Sequence, residues 1–336
     1  MVTALRIATF NMENLDEDKV PPSDYDAPLS VRIAIMRPQL ERLKADVLCL
    51  QEVNGQERSG QKRQLLALQE MIAGTRYANY HIASTLTSRD EPYNERNLVI
   101  LSRFPILKFQ QIKHELTDAP LYRKVMERPA DPEASKISWE RPIFYAQLDL
   151  GNGRILHVIN LHLKSRLPTT IEGQMLDRYT WSSGAGWAEG SFVSAMKRVG
   201  QALETRILID SIFDVAEING DPAPYIVVCG DFNADIDDVT MKAIRGMVED
   251  TGNPGLVGRV MVPCELSVPE QARFTLKHLG KGEMLDHIVA SRALLAYYQG
   301  TQIHNEIVPD ESGAFHTDAK FPESDHAPVV ATFELE

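Results

Sequence analysis

Short apolar runs recur along the chain with polar segments between them, which predicts alternating strands and helices. Several runs are unbroken stretches of Val, Ile and Leu, as expected for strands that are covered on both faces. The predicted strands cover residues 6–10, 47–50, 98–101, 143–150, 155–161, 226–229, 285–290 and 329–333. Asn152-Gly153 lies between two of these runs and predicts a hairpin turn.

Helix signals occupy the segments between the strands. Apolar residues recur at helical spacing in the longest of these segments, which predicts an amphipathic helix. The predicted helices cover residues 30–44, 61–73, 192–213 and 240–248. Ser30 is the expected cap of the first helix, and Pro38 either kinks that helix or begins its second part. No linker separates the elements, so we predict one α/β domain over residues 1–336.

Two long segments lack regular patterning and are expected to be functional loops, because ordinary connections are shorter. They cover residues 113–141 and 164–190. Trp181 and Trp187 lie in the second segment, where they either stack on a nucleic-acid base or pack the loop against the protein.

Composition is that of a globular protein, with 43% hydrophobic residues in 336. No apolar run is long enough to span a bilayer, and the first residues show no secretory leader, so we expect a cytoplasmic protein and a monomer. The three cysteines, Cys49, Cys229 and Cys264, do not form a metal-binding spacing; Cys49 and Cys229 lie in apolar runs, and we expect free, buried thiols.

The net charge of −12 argues against tight, non-specific binding of long nucleic acid. The charge is unevenly spread, however. Residues 96–166 contain twelve Lys or Arg and seven Asp or Glu. This segment is either a local basic face for an anionic substrate or a solvated surface of uneven charge.

Polar residues directly follow or interrupt the predicted strands, and they are the main indication of chemistry. Ligands of α/β proteins bind where strand ends and their loops converge, so these residues are expected to meet at one site. They are Asn11, Glu52, Asn160, His162, Asp231, Asn233, Asp286, Asp325 and His326. Taken singly, such a residue is more often a turn former or a buried hydrogen-bonding residue than a functional one.

The residue types suit metal-dependent phosphate chemistry. Carboxylate and amide oxygens are the ligands that Mg²⁺ or Mn²⁺ prefers. Histidines can hydrogen-bond or protonate a phosphate near neutral pH. Hydrolysis of a phosphodiester requires charge neutralisation, an activated water and a stabilised leaving oxygen. The set therefore predicts a phosphoesterase that attacks with water, in line and in one step.

Six sequence blocks, in order, resemble the endonuclease/exonuclease/phosphatase superfamily. They are Thr9-Phe10-Asn11, Leu50-Gln51-Glu52-Val53, Asn160-Leu161-His162, Gly230-Asp231-Phe232-Asn233, Leu285-Asp286-His287 and Ser324-Asp325-His326. The resemblance covers nearly the whole chain. It implies a four-layer α/β sandwich, in which two packed mixed β-sheets are flanked by helices.

The resemblance also implies roles for the metal and the water. Glu52 would be the principal ligand of Mg²⁺ or Mn²⁺, with Asn11 nearby and Asp325 available to a second metal position. Asp231 would position or deprotonate the attacking water, and Asn233 would hold the phosphate or the water.

The histidines would act on the phosphate. His326 would contact the scissile phosphate, oriented by Asp286, and His162 would bind the phosphate or protonate the leaving oxygen. His162 matches the deoxyribonuclease and sphingomyelinase branches, whereas abasic-site enzymes have tyrosine there. Further candidate substrate-binding residues are Asn160, Arg141, Lys164 and Glu95. Glu95 is near the place of a glutamate that supports a histidine in deoxyribonucleases, but its spacing to Arg103 differs by one residue.

Other functions remain open. A phosphomonoesterase or a phospholipase C-type hydrolase on the same scaffold would use the same residues. A non-catalytic binding protein would be expected to lack at least one catalytic residue type, and none is replaced among Glu52, His162, Asp231, Asp286 and His326. A serine hydrolase built on Ser324 and His326 would lack the Gly-x-Ser-x-Gly elbow. We therefore expect a phosphodiesterase, and nucleic acid is one candidate substrate.

Overall fold

The computed structural model describes residues 3–19, 27–313 and 321–335. The strands are β1 (Thr3–Leu15), β2 (Val47–Val53), β3 (His81–Ser84), β4 (Asn97–Ser102), β5 (Ile106–Ile112), β6 (Leu121–Tyr122), β7 (Ser135–Lys136), β8 (Ile143–Gly151), β9 (Arg154–His162), β10 (Tyr225–Asp231), β11 (Met261–Pro263), β12 (Leu276–His278), β13 (Lys281–Glu283), β14 (Asp286–Ser291), β15 (Tyr298–Ile303) and β16 (Val329–Leu335). The helices are α1 (Leu29–Leu43), α2 (Leu66–Ile72), α3 (Gly184–Asn219), α4 (Val239–Arg245), α5 (Val248–Thr251) and α6 (Arg292–Leu295).

The long strands form two six-stranded sheets. The first has the order β15-β16-β1-β2-β4-β3, and the second has the order β11-β14-β10-β9-β8-β5. Within each sheet one central pair is parallel, β1 with β2 and β9 with β10, and the other pairs are antiparallel. Both sheets are therefore mixed, as predicted.

The sheets pack face to face and helices cover their outer faces. The core between them contains fully buried side chains from both sheets, among them Ile7, Phe333, Phe144 and Ile288. Helices α1 and α2 pack on the outer face of the first sheet, and α3 and α4 pack on that of the second. The predicted four-layer α/β sandwich is confirmed.

All eight predicted strands are present, as parts of β1, β2, β4, β8, β9, β10, β14 and β16. The β8–β9 hairpin is also confirmed, because Asn152 and Gly153 have φ of 55° and 73°, the left-handed values that a tight hairpin turn requires. The prediction missed edge strands such as β3 and β5, whose residues are mostly exposed and therefore lack a continuous apolar run.

The predicted helix ends were less accurate. Helix α1 begins at Leu29, and the amides of Val31 and Arg32 bond to the carbonyl of Pro28, so the predicted Ser30 cap is wrong. Pro38 lies inside the helix. The second helix is shorter than predicted, because residue 64 pairs with Gln56 in an isolated bridge before α2 begins.

The two long predicted loops pack against each other. Buried Glu189 on α3 accepts hydrogen bonds from the hydroxyl of Tyr122 and from the amides of Val125 and Met126. Trp181 packs half-buried against the small core of this unit, whereas Trp187 remains 51% exposed. Of the two roles left open for the tryptophans, Trp181 therefore packs the loop down.

Candidate active site

The predicted catalytic residues meet at one edge of the two sheets. The carboxyl ends of β1, β2, β9 and β10 carry Asn11, Glu52, His162 and Asp231. The antiparallel strands β14 and β16 contribute from their amino ends, with Asp286 beginning β14 and with Asp325 and His326 preceding β16. The amide Nδ2 of Asn11 donates to Oδ2 of Asp231 at 3.1 Å, which joins the first sheet to the second.

His326 is paired with a buried carboxylate. Its Nδ1 lies 2.7 Å from Oδ2 of Asp286, and its Nε2 faces Asp231 and Asp325, each 4.0 Å away. Burial opposes a charge on this ring, but Asp286, Asp231 and Asp325 outweigh burial and raise the pKa of His326 well above its ordinary value. The raised pKa favours the protonated ring, and Asp286 fixes its orientation through Nδ1.

Asp231 is a carboxylate in a nearly dry setting. Its side chain is 2% exposed, and burial, with the charges of Asp286 and Glu52 adding to it, raises its pKa to about 7 despite the opposing effect of His326. Asn233 supports it, because its backbone amide donates to Oδ1 at 2.9 Å and its Nδ2 donates to Oδ2 at 3.0 Å. A carboxylate with this pKa can exchange a proton near neutral pH.

The turn that carries Asp231 requires a glycine. Gly230 has φ of 137°, and a Cβ there would lie 2.0 Å from the carbonyl oxygen of Leu161 on the neighbouring strand. Only glycine allows β9 and β10 to approach this closely. The glycine in the Gly230-Asp231-Phe232-Asn233 block is thus explained by packing.

His162 lies between two acids. Its Nε2 is 3.5 Å from Oε1 of Glu52 and 3.4 Å from Oδ2 of Asp231. Its Nδ1 is buried and has no hydrogen-bond partner among the residues that the structure describes. Burial and the positive charge of Arg141 lower the pKa of His162 well below its ordinary value, so the ring is neutral. In the part of the chain that the structure describes, the ion pairs of His162 are with Glu52 and Asp231, and Glu95 lines a neighbouring cleft instead.

Glu52 projects from an irregularity in the sheet. The register of β2 shifts against both of its neighbours at this point, and Glu52 has φ of 57°. Its Oε2 accepts the backbone amide of Asn14 at 3.1 Å, and its side chain is 14% exposed. A bulge of this kind re-aims a side chain out of the strand, and here it points the carboxylate toward His162.

Two groups of residues could hold a metal. The first group is Asp231, Asp286 and His326, whose potential ligand atoms lie within 4.8 Å of one another. Oδ1 of Asp286 is buried, and no described residue forms a hydrogen bond with it. The second group is Glu52 and Asp325, which lie close to each other. Burial raises the pKa of Asp325, and the charge of Glu52 raises it further although the charge of His326 lowers it. Such a concentration of hard oxygen donors fits a divalent cation.

Three of the twelve basic residues of segment 96–166 lie near the acids. The charges of Arg141, Arg96 and Lys164 all act on His162. Within the described residues the guanidinium of Arg141 makes no hydrogen bond or ion pair. Burial lowers the pKa of Arg141, and the negative charge of Glu52 opposes this effect. Lys164 instead donates to Ser165 Oγ at 2.8 Å and to the carbonyl of Leu167 at 3.3 Å. Arg96 also bonds to a protein group, Oδ1 of Asn14 at 3.2 Å, so Arg141 is the candidate phosphate contact among the three.

Asn160 lies deeper than a substrate contact would. It is fully buried, its Oδ1 accepts from Nε2 of Gln51 at 2.7 Å, and its Nδ2 donates to the carbonyls of Leu50 and Val99 at 3.1 Å each. These bonds join the second sheet to the first directly beneath the site. Asn160 therefore supports the site indirectly, by joining the strands that carry the site residues.

A cleft of about 450 Å³ opens next to the candidate site, although none of the predicted catalytic and metal-binding residues, all of which the structure describes, lines it. Glu95 and Arg96 line it, together with Glu13 and Asn14, which contact Asp325 and Glu52 respectively. The sequence reasoning missed Glu13 and Asn14, although both follow Asn11 closely in the first block. Ser324 donates to the carbonyl of Asn11 at 2.7 Å and accepts the amide of His326, so it shapes the turn.

The sequence model of the Endonuclease/Exonuclease/phosphatase family matches residues 8–326. The chain belongs to this family. The match includes every predicted catalytic and metal-binding residue, and membership supports hydrolysis of a phosphate ester in general. No curated protein sequence matches the chain significantly.

Solved structures of similar fold have low sequence identity to the chain. An AP endonuclease from Archaeoglobus fulgidus is 16% identical, with 98% of this chain and 100% of that chain covered and a TM-score of 0.51. Truncated TDP2 from Caenorhabditis elegans is 15% identical, with 99% and 98% covered and a TM-score of 0.53. An endonuclease/exonuclease/phosphatase from Bacteroides vulgatus is 17% identical, with 99% and 100% covered and a TM-score of 0.54. At this identity they support the fold.

Proposed function

We propose that the protein is a Mg²⁺- or Mn²⁺-dependent phosphodiesterase that uses water as the nucleophile. The observation that carries the proposal is the juxtaposition of Asp231, of pKa about 7, with the Asp286–His326 pair and with neutral His162. These groups supply a proton acceptor, a cationic contact and a neutral hydrogen-bond donor within one edge of the fold.

The metal is assigned to Glu52, with Asn11 and Asp325 beside it. Glu52 and Asp325 fit this role because the carboxylates lie close enough for the charge of Glu52 to raise the pKa of Asp325. When bound, the cation would offset the charge of the phosphate and lower the pKa of a water.

The protein's own residues then have separate tasks. Asp231 accepts the proton of the attacking water, and Asn233, which already bonds to Asp231, holds that water or the phosphate. His326 binds a non-bridging phosphate oxygen, and Asp286 keeps its ring charged. His162 has a lowered pKa, which favours hydrogen bonding to the phosphate over protonation of the leaving oxygen, so the leaving oxygen takes its proton from solvent water. Arg141 adds positive charge.

The acidity of the whole chain favours short or small phosphodiesters over long polymers. Among the described residues, no helix has the length and apolar character required to cross a membrane. We place the protein in the cytoplasm as a monomer.

The test is an activity panel with and without the metal. The panel covers an aryl phosphodiester, single- and double-stranded DNA, RNA, abasic DNA, nucleotides, inositol phosphates and sphingomyelin. EDTA is expected to abolish hydrolysis, and added Mg²⁺ or Mn²⁺ is expected to restore it. Activity that persists in EDTA would contradict metal dependence. Hydrolysis of monoesters alone would favour the phosphatase alternative.

The ligand assignment has its own test. Glu52→Gln should weaken Mn²⁺ binding measured by calorimetry, because a charged ligand becomes neutral. Glu91→Gln is the matched control, since Glu91 has the same 14% side-chain exposure and pairs with Arg63 instead. Equal Mn²⁺ affinity in the two variants would remove Glu52 from the metal site.

A further inference from the structure

A second buried acid–histidine pair lies behind the active site. Glu265, in the short 3₁₀ turn after β11, and His287, on β14, are both fully buried. Nδ1 of His287 lies 2.5 Å from Oε1 of Glu265, and the other carboxylate oxygen faces the amide of Ile288 at 3.4 Å. Among the described residues, the side chains of Glu265 and His287 form no hydrogen bond with Asp231, His162 or His326, so the proposed chemistry does not use them directly.

The other nitrogen of the His287 ring faces the turn of residues 231–234. Nε2 of His287 lies 2.8 Å from the carbonyl oxygen of Ala234, and the ring packs against Phe232 at 5.2 Å between centroids. A carbonyl can only accept, so Nε2 must carry the hydrogen. Within the described residues no other donor bonds to this carbonyl.

The turn of residues 231–234 holds the two groups that act on the water. Its backbone is constrained, since Asn233 has φ of 50° and its amide bonds to Asp231. Position 234 directly follows Asn233, so the bond from His287 fixes the exit of the turn. The carboxylate of Glu265 accepts a hydrogen bond from Nδ1 and so fixes the orientation of the His287 ring.

We propose that Glu265 and His287 are positioning residues, which hold the turn of residues 231–234 so that Asp231 and Asn233 face the attacking water. The inference rests on the proposed function for its kinetic consequence, but its structural part does not. The hydrogen-bond chain runs from the Glu265 carboxylate through the His287 ring to the Ala234 carbonyl. A displacement of the turn by about 1 Å is enough to lower a rate by about 100-fold.

The first test replaces His287 with phenylalanine, which keeps a ring but has no hydrogen-bond donors. His287→Phe should lower kcat by about 10- to 100-fold with KM little changed, because the proposed phosphate contacts outside the turn, His326, His162 and Arg141, stay in place. Amide hydrogen exchange at Asn233 should accelerate by about 10-fold, as expected for a loosened turn. His157→Phe is the matched control, because His157 is a largely buried histidine of the same sheet that pairs with Tyr145 away from the site. It should change neither quantity.

The second test restores the donor. In His287→Gln the side-chain amide can donate to Ala234, but its carbonyl oxygen then faces the Glu265 carboxylate. Adding Glu265→Gln supplies an amide donor for that oxygen. The double variant should therefore exceed the His287→Gln variant in kcat and return the exchange rate of Asn233 toward that of the wild-type protein. This comparison also serves if His287→Phe does not fold.

The outcomes separate the two proposals. Unchanged exchange at Asn233 in His287→Phe, or a double variant no better than His287→Gln, would overturn the positioning role. Absence of phosphodiesterase activity in the wild-type protein would instead contradict the proposed function, and the exchange measurements would still decide whether His287 holds the turn.

Discussion

Glu52 and Asn233 place candidate site side chains on backbone that non-glycine residues seldom adopt. Their φ values are 57° and 50°, and such conformations typically cost about 1–3 kcal/mol unless their surroundings impose them. The surroundings do so here: the β2 register shifts at Glu52, and Asn233 is tied to Asp231 through both its amide and its side chain. Sequence patterns identified both residues but could not show this strain, because it depends on neighbouring strands.

The His326–Asp286 pair should act as one unit. His326→Ala removes the cation, and Asp286→Ala removes the group that orients and charges it, so each alone should lower kcat/KM by about 100- to 10,000-fold. The double variant should be little worse than the more damaged single variant. Steady-state kinetics of the four proteins measure this.

Additive losses in that cycle would show that the two residues act separately. The 2.7 Å hydrogen bond between them would then be structural. A pair outside the site gives the comparison: Tyr145→Phe with His157→Phe, which are also hydrogen-bonded, should leave kcat/KM unchanged singly and together.

At the level of elements, the unbroken apolar strands were predictable because burial on both faces leaves a clear pattern. Helix α3 was predicted from residue 192 but begins at Gly184. The first turns contain Gly186 and Gly190, which usually indicate loops. Here they allow close packing, since a Cβ would lie 2.6 Å from Oε1 of Gln174 and 2.4 Å from the Thr169 carbonyl oxygen, respectively. A tertiary contact thus outweighed local propensity.

The β8–β9 hairpin should make stability depend on pH. Burial, with Lys108 adding to it, lowers the pKa of His157 to about 4. Its Nδ1 faces the hydroxyl of Tyr145 at 2.7 Å, and that hydroxyl accepts from Gln147. The arrangement therefore requires a neutral ring, which accepts from Tyr145.

The sign follows from the unfolded chain, in which a histidine has a pKa of about 6.5. Above that value neither state is protonated, and the stabilising contribution is fully present. As the pH falls from about 6.5 to about 4, the unfolded state binds a proton that the folded state does not, and stability decreases by up to about 3 kcal/mol. Urea unfolding at pH 7.5 and pH 5 measures the change, which should be smaller in His157→Gln. An equal change in both proteins would contradict the assignment.

At the level of the whole molecule, the site exists because two sheets end at the same edge. The placement of polar residues at strand ends predicted this meeting, and the family resemblance implied the Asp286–His326 pairing. Neither predicted the bonds that join the sheets, since Asn160 and Gln51 are 109 residues apart and carry no local signal of contact. For the same reason the Glu265–His287 pair was missed, because the short turn that carries Glu265 has no pattern of its own.

Asn160 and Arg141 were both predicted to bind substrate, and their surroundings predict opposite results when each is replaced by alanine. Asn160→Ala removes three hydrogen bonds between the sheets and leaves the amide of Gln51 and two carbonyls with fewer partners. It should lower the free energy of unfolding by about 2–4 kcal/mol, with little change in KM for the protein that remains folded.

Arg141→Ala removes a guanidinium without hydrogen bonds in the described part of the chain, so it should raise KM with little loss of stability. Chemical denaturation and steady-state kinetics on both variants measure this. A raised KM in a fully stable Asn160→Ala protein would show that Asn160 contacts the substrate after all.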